Sequence, residues 1–159
     1  MTDPKDPLQA LARHIASDRA DTGMLARVRR SGPGASEAMF DTQTLLHAAG
    51  IDPAPADWPA WALLAHCLAL AGGAHQSGLS TGEVLAEIRL TELRMRLLVE
   101  ADDALLRDLL PRLARRLAAS GQRINWWPFA NLLGLGAHTP DEARRELIRG
   151  YLRVSAAVH

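Results

Sequence analysis

Apolar residues along this chain recur at intervals of three and four and nowhere alternate with period two for long. Leu8, Leu11 and Ile15 mark one face of residues 8–20, and 23–34 repeats the pattern before the breaker Ser31-Gly32-Pro33-Gly34. Such spacing follows the 3.6-residue turn of an α-helix, whereas a half-buried strand needs every second residue. β-Branched residues are scarce, which removes a second support for sheet. The sequence predicts an all-α fold of about eight helices packed as two small helical bundles. Residues 1–72 form the first and 79–159 the second, with an approximate boundary and a single domain as the alternative.

Local signals place the elements. Residues 35–50 read as a third helix closed by Gly50, and "IDPAPADWP" as a connector in which Asp57 caps the next helix and Pro59 sits in its first turn. That helix runs over 58–71. After a glycine-rich loop, Ser80 and Glu83 have the spacing of a capping box. One long amphipathic helix is expected over 83–101, with Leu85, Ile88, Leu93, Leu97 and Leu98 along its buried side. Asp102 caps a helix ending near Gly121, which Pro111 should kink or split. Asn125 caps "WWPFANLLGLG", and Thr139-Pro140 starts a last helix carrying Leu147, Ile148, Tyr151 and Leu152.

Several function classes fall away. The longest apolar run, 61–74, is interrupted by His66 and a glycine pair and reads as a buried helix, not a membrane span. The start "MTDPKDPLQ" lacks the basic-then-apolar order of a secretory signal, and one cysteine, Cys67, forms no intramolecular disulfide. A cytoplasmic protein is expected. No P-loop occurs, and no G-x-G-x-x-G opens a helix after a strand. The six histidines show no ligand spacing. His66 and Cys67 point about 100° apart on a helix and read as core, and the start of a helix accounts for Asp102 and Asp103. No catalysis, metal or cofactor is expected.

The zero net charge hides a dipole. Residues 1–108 carry ten Lys/Arg against fifteen Asp/Glu, and 109–159 eight Arg against three acids. Seventeen of the eighteen basic residues are Arg, whose planar fork suits phosphate, although a GC-rich genome produces the same bias. Four groups stand out. Arg27, Arg29 and Arg30 end one helix; Arg94 and Arg96 follow Arg89; Arg112, Arg115 and Arg116 share one face by spacing; Arg144, Arg145 and Arg149 precede Arg153 by a turn. Such faces can follow a phosphate backbone, or they can be solvated faces near helix C-termini, where cations are mildly favourable. Trp126 and Trp127 could stack on bases. They open a helix whose Phe129, Leu132 and Leu133 need a core, so packing is the better account, with one indole buried and one partly exposed.

The order of elements resembles a known family. An early "ARVRRS", a central "GLSTGEVLAEIRLTELRMRLLVEAD", then "LARRL", "INW" and a last helix ending in an aromatic are similar to the CasB family, the small subunit of the type I-E CRISPR surveillance complex Cascade. The likeness covers nearly the whole chain and is most specific over 78–102. It implies a pair of helical bundles and a non-catalytic role. The implied partners are guide RNA and target DNA, the backbone and large subunits of Cascade, and a second copy of the chain. The R-loop is the implied object, steadied by Arg29, Arg30, Arg94, Arg115, Arg116 and Arg144 at the family's basic positions. Arg27, Arg96, Arg112, Arg145 and Arg149 are added from spacing and clustering alone. "LGLGAH" departs from the aromatic-rich step the family has there. Two readings compete: a helical DNA-binding regulator, which the apolar helix after "SGQRIN" opposes, and a protein–protein adaptor without nucleic-acid contact.

Overall fold

The computed structural model describes residues 6–158; residues 1–5 and 159, including Lys5 and most of the start searched for a signal, lie outside the described residues. Helices account for the architecture: α1 (Pro7–Ala16), α2 (Thr22–Arg30), α3 (Met39–Ala48), α4 (Trp58–Leu70), α5 (Thr81–Glu87), α6 (Glu92–Glu100), α7 (Asp103–Ser120), α8 (Trp127–Leu132) and α9 (Pro140–Val158). Short 3₁₀ turns at Ser36–Ala38 and Pro55–Asp57 lead into α3 and α4. No strand occurs among the described residues, and one isolated bridge joins His75 to Ile124. The all-α expectation holds.

The caps show why the helices begin where they do. Asp6 accepts from the Gln9 amide at 3.1 Å and opens α1, which ends at Ala16 instead of reaching residue 20. Asp21 accepts from Gly23 and Met24 and opens α2; Asp102 accepts from Leu105 and opens α7. Thr139 accepts from the Glu142 amide at 3.1 Å and donates to its carboxylate, a reciprocal pair at the head of α9. Asn125, expected to cap the next helix, stands one residue ahead of the cap position, which Trp126 occupies without a side-chain bond; Asn125 accepts instead from the Trp127 amide at 3.0 Å. Two expected caps do not form: neither Asp57 nor Ser80 makes a side-chain capping bond, and Glu83 faces Arg153 instead. Pro111 does not split α7, which continues through it.

The largest difference from the sequence reading lies at Arg89. The helix expected over 83–101 is broken there into α5 and α6, raising the count to nine among the described residues. Arg89 takes a left-handed φ of 63°, the Leu90 amide donates to Leu85 and the Arg89 amide to Ala86. This is a Schellman termination with arginine where glycine is usual, at a cost of about 1 kcal/mol or more. Distant donors hold it: the Tyr151 hydroxyl donates to the Leu90 carbonyl at 2.7 Å, and Arg116 donates to the Ile88 carbonyl at 2.5 Å. Thr91 then caps α6 in a new register that buries Met95, Leu98 and Val99. Leu93 and Leu97, expected on the buried side, are 69% and 44% exposed.

Packing centres on α4, buried on every side from Trp61 to Ala69, as suits a helix apolar all round. α1, α2 and α3 pack around it, and α7 lies against it from the C-terminal half. α9 packs on α5 and α8, and the buried apolar cluster continues from Leu8 to Tyr151. Of the four apolar residues expected to carry α9, Leu147 and Tyr151 are buried while Ile148 and Leu152 are exposed. α5 meets α9 backbone to backbone: a side chain on Gly82 would strike the Leu147 carbonyl and come within 2.7 Å of the Tyr151 amide, and one on Gly150 within 3.0 Å of the Glu83 amide. Trp126 is fully buried, edge-on to Phe129 at 5.3 Å, and Trp127 is half-buried.

A polar clasp fixes α8 against the start of the chain. The Trp126 amide donates to His75 Nδ1 at 3.0 Å, so the ring carries its proton on Nε2 and donates to Ser77 Oγ, also at 3.0 Å. Ser77 passes its own proton toward Asp6, which also accepts from the Trp127 indole at 3.0 Å. Burial pushes the His75 pKa down to about 4 against the opposing pull of Asp6. Burial pushes Asp6 up, but the donors from Ser77, the Gln9 amide and Trp127 outweigh it and hold the carboxylate below its ordinary value.

Candidate nucleic-acid interface

Two bonds seat the end of α2 on α4. His66 Nδ1 meets the Val28 carbonyl at 2.9 Å, and Arg29 Nε donates to the Ala69 carbonyl at 2.8 Å, satisfying an acceptor in the last turn of α4. Burial lowers the His66 pKa, with the Val28 carbonyl opposing it and Arg115 adding to the effect. Seated in this way, Arg29 and Arg30 face α7 across a cleft of about 280 Å³, into which Arg107, Arg112 and Arg115 also project. Ser31, Gly32 and Pro33 form its lip, and Asp108 is the single acid among its lining residues. Five guanidinium groups against one carboxylate leave a net of four positive charges. Arg30, Arg107, Arg112 and Arg115 make no side-chain hydrogen bond or ion pair with any described residue, so their donors are available to a ligand.

Other arginines are occupied within the chain. Arg27 forks onto Asp41 at 2.8 and 3.2 Å, which raises its own pKa and lowers that of the carboxylate. Arg96 pairs with Glu92 at 2.8 Å on an exposed face. Arg116 is spent on the Ile88 carbonyl, and Arg144 on the Val99 carbonyl at 3.0 Å and Asp141 at 2.6 Å. Arg112, Arg115 and Arg116, expected on one face, part company: Arg115 enters the cleft, Arg116 turns away from it, and Arg112 lies between. Arg94 is exposed beside a second groove, and Arg145 and Arg149 line a third with Arg153, among Glu142 and Glu146.

Sequence reasoning missed Arg107. It stands beside Asp108 and forms no run, and the only signal for it is its place two turns before Arg115 on the same helix face. Residues 78–82, "GLSTG", spell the G-x-S-x-G of hydrolase nucleophile elbows. The likeness ends at spelling: no strand precedes Ser80, its φ and ψ are ordinary extended values, and no hydrogen bond joins it to His138 across their shared groove. His66 and Cys67 are both buried, and burial pushes the Cys67 thiol pKa up. No group of three or more His, Cys, Asp or Glu among the described residues is placed to hold a metal ion. No described helix is long and apolar enough to cross a membrane.

The family model for the CRISPR-associated protein Cse2 matches residues 24–151, from α2 to two turns short of the end of α9. The chain belongs to the Cse2 family. CasB is an alternate name for the same family, so the resemblance read from residues and the match agree. Cse2 is the small subunit of type I-E Cascade, and the chain is accordingly a Cascade subunit. All eleven arginines singled out from the sequence fall inside the matched span, as does Arg107. No curated protein and no solved structure gives a match to the chain.

Proposed function

We propose that this Cse2 subunit is a non-catalytic clamp that holds the sugar–phosphate backbone of guide RNA or target DNA in the α2–α7 cleft and so stabilises the R-loop. The observation that carries the reading is the convergence of Arg29, Arg30, Arg107, Arg112 and Arg115 on one cleft from segments far apart in sequence, with one acid among them. Exchanging a DNA duplex for an RNA–DNA hybrid is nearly balanced, so a few backbone contacts tip it. Arginines on rigid helices meet phosphates without reading bases, which suits an effector whose guide supplies the sequence. Cascade's backbone and large subunits and a second copy of the chain are the protein partners in this reading, in the cytoplasm.

About four phosphates gripped on a single strand give a salt slope near −3 in log K against log salt. In the assembled complex, the triple variant Arg30→Ala, Arg112→Ala, Arg115→Ala is expected to weaken target binding roughly 30-fold and flatten that slope by about 2. Arg29 is left in place because it also holds α4. R-loop lifetime and salt slope equal to those of the parent complex would remove the cleft from nucleic-acid binding and leave the adaptor reading.

A further inference from the structure

On the other side of α7 lies a groove of different character. It holds about 380 Å³ between α6 and α7. Leu90, Leu97 and Leu98 form one wall, and Leu109 and Leu113 the other, while Arg94, Arg112 and Arg116 rim it. Leu93, one turn before Leu97, extends the apolar stripe along α6 and is 69% exposed; Leu105, one turn before Leu109, extends it along α7. The break at Arg89 creates this face, because the register of α6 after Thr91 turns Leu93 and Leu97 outward. Leu90, Leu98 and Leu113 are already buried and form the floor of the groove, Leu109 is half-buried, and Leu93, Leu97 and Leu105 stand exposed along it. Exposed leucines gathered on one face mark a contact surface, whereas single ones scattered over a surface do not.

We infer that this groove docks an amphipathic helical segment of a neighbouring protein subunit, with branched apolar side chains on one face and carboxylates beside them. The inference rests on membership of the complex and not on the arginine cleft. The leucine walls are wrong for a phosphate backbone, which they would strip of water without giving a hydrogen bond, and no aromatic lines the groove for a base to stack on. Apolar side chains at helical spacing fit between two such walls as anchors. The rim supplies the complement: Arg94, which takes no part in the cleft, makes no side-chain hydrogen bond or ion pair with any described residue, so an incoming carboxylate finds a free guanidinium on the α6 wall.

Every exposed apolar segment among the described residues of a second copy of this chain, α6 with Leu93 and Leu97 included, carries or contacts arginine as well as acid. Its exposed apolar residues away from the groove are Met39, Phe40, Ile148 and Leu152. Asp41 beside Phe40 is already taken by Arg27, and Ile148 and Leu152 share α9 with Arg145, Arg149 and Arg153. Exposed Glu37 lies near Met39 and exposed Glu146 near Ile148, but each segment also brings an arginine to an arginine rim.

The test uses the assembled complex. Cys67 is fully buried, so Leu97→Cys provides one accessible thiol for a benzophenone maleimide. Irradiation and peptide mapping are expected to join position 97 to another subunit, within a segment that has apolar residues every three or four positions and at least two acids. A cross-link to RNA, to DNA or to a second copy of the chain overturns the proposal. A second variant, Leu93→Ser with Leu97→Ser, changes exposed positions and is expected to keep the thermal melt of the free chain while lowering its retention in the complex roughly tenfold or more. Parental retention also overturns the proposal. That failure is distinct from failure of the cleft reading, which appears as parental nucleic-acid binding by the arginine triple variant.

Discussion

The two sides of α7 carry the same residue type in opposite settings. On one side Arg107, Arg112 and Arg115 meet Arg29 and Arg30 in a cleft with no leucine in its lining; on the other Arg112 and Arg116 edge a groove walled by five leucines. Arg112 lines both. A guanidinium among other free guanidiniums raises the local potential for an anion of any sequence. One at the border of a hydrocarbon surface selects a partner that also brings apolar area. An arginine therefore takes its meaning from what surrounds it, and counting arginines along the chain cannot separate the two.

The comparison can be broken or sharpened by experiment. Acid tests the shared scaffold. His75 titrates below its ordinary 6.5, at about 4, so the unfolded chain takes up the proton first as the pH falls. The contribution is complete above pH 6.5 and is lost on descent toward pH 4, about 3 kcal/mol in all. Urea unfolding at pH 7 and at pH 4.5 should show most of that loss, and His75→Gln should flatten it. Both faces of α7 should fail together, at one midpoint.

Neighbouring arginines give a smaller and sharper contrast. Arg116→Ala removes the donor to the Ile88 carbonyl where α5 ends and should cost about 2 kcal/mol in urea unfolding, with little change in salt slope. Arg115→Ala, one residue away, should leave stability within about 0.5 kcal/mol and weaken nucleic-acid binding. If the two variants behaved alike, the division of α7 into two functional sides would be lost. The smallest effect is expected at Arg96: its pair with Glu92 is exposed and screened by solvent, and Arg96→Ala should leave the urea midpoint, binding and assembly unchanged.

What was legible in the sequence was local. The caps at Asp102 and Thr139, the breaker after Arg30 and the buried character of α4 all depend on residues within a turn or two. The break at Arg89 was hidden because no glycine marks it and its carbonyls are satisfied by Arg116 and Tyr151, 28 and 61 residues further on. Missing the break also assigned Leu93 and Leu97 to the core. The basic groups were visible as runs, but which arginines remain free was not: Asp41 lies 14 residues from Arg27, and the Ala69 carbonyl 40 from Arg29. Arg107 belongs to no run and joins the cleft only because α2 is seated on α4 by His66 and Arg29.

The crossing of Gly82 with Gly150 has a mechanical consequence. With no side chains between them, α5 and α9 meet as two rigid rods in backbone contact, and Tyr151, one residue beyond that contact, reaches the Leu90 carbonyl at the root of α6. Tyr151 thus ties the root of α6 to the 19-residue α9, beside the left-handed joint at Arg89. A load on the α6–α7 groove is therefore expected to reach α9, the helix that carries Arg145, Arg149 and Arg153.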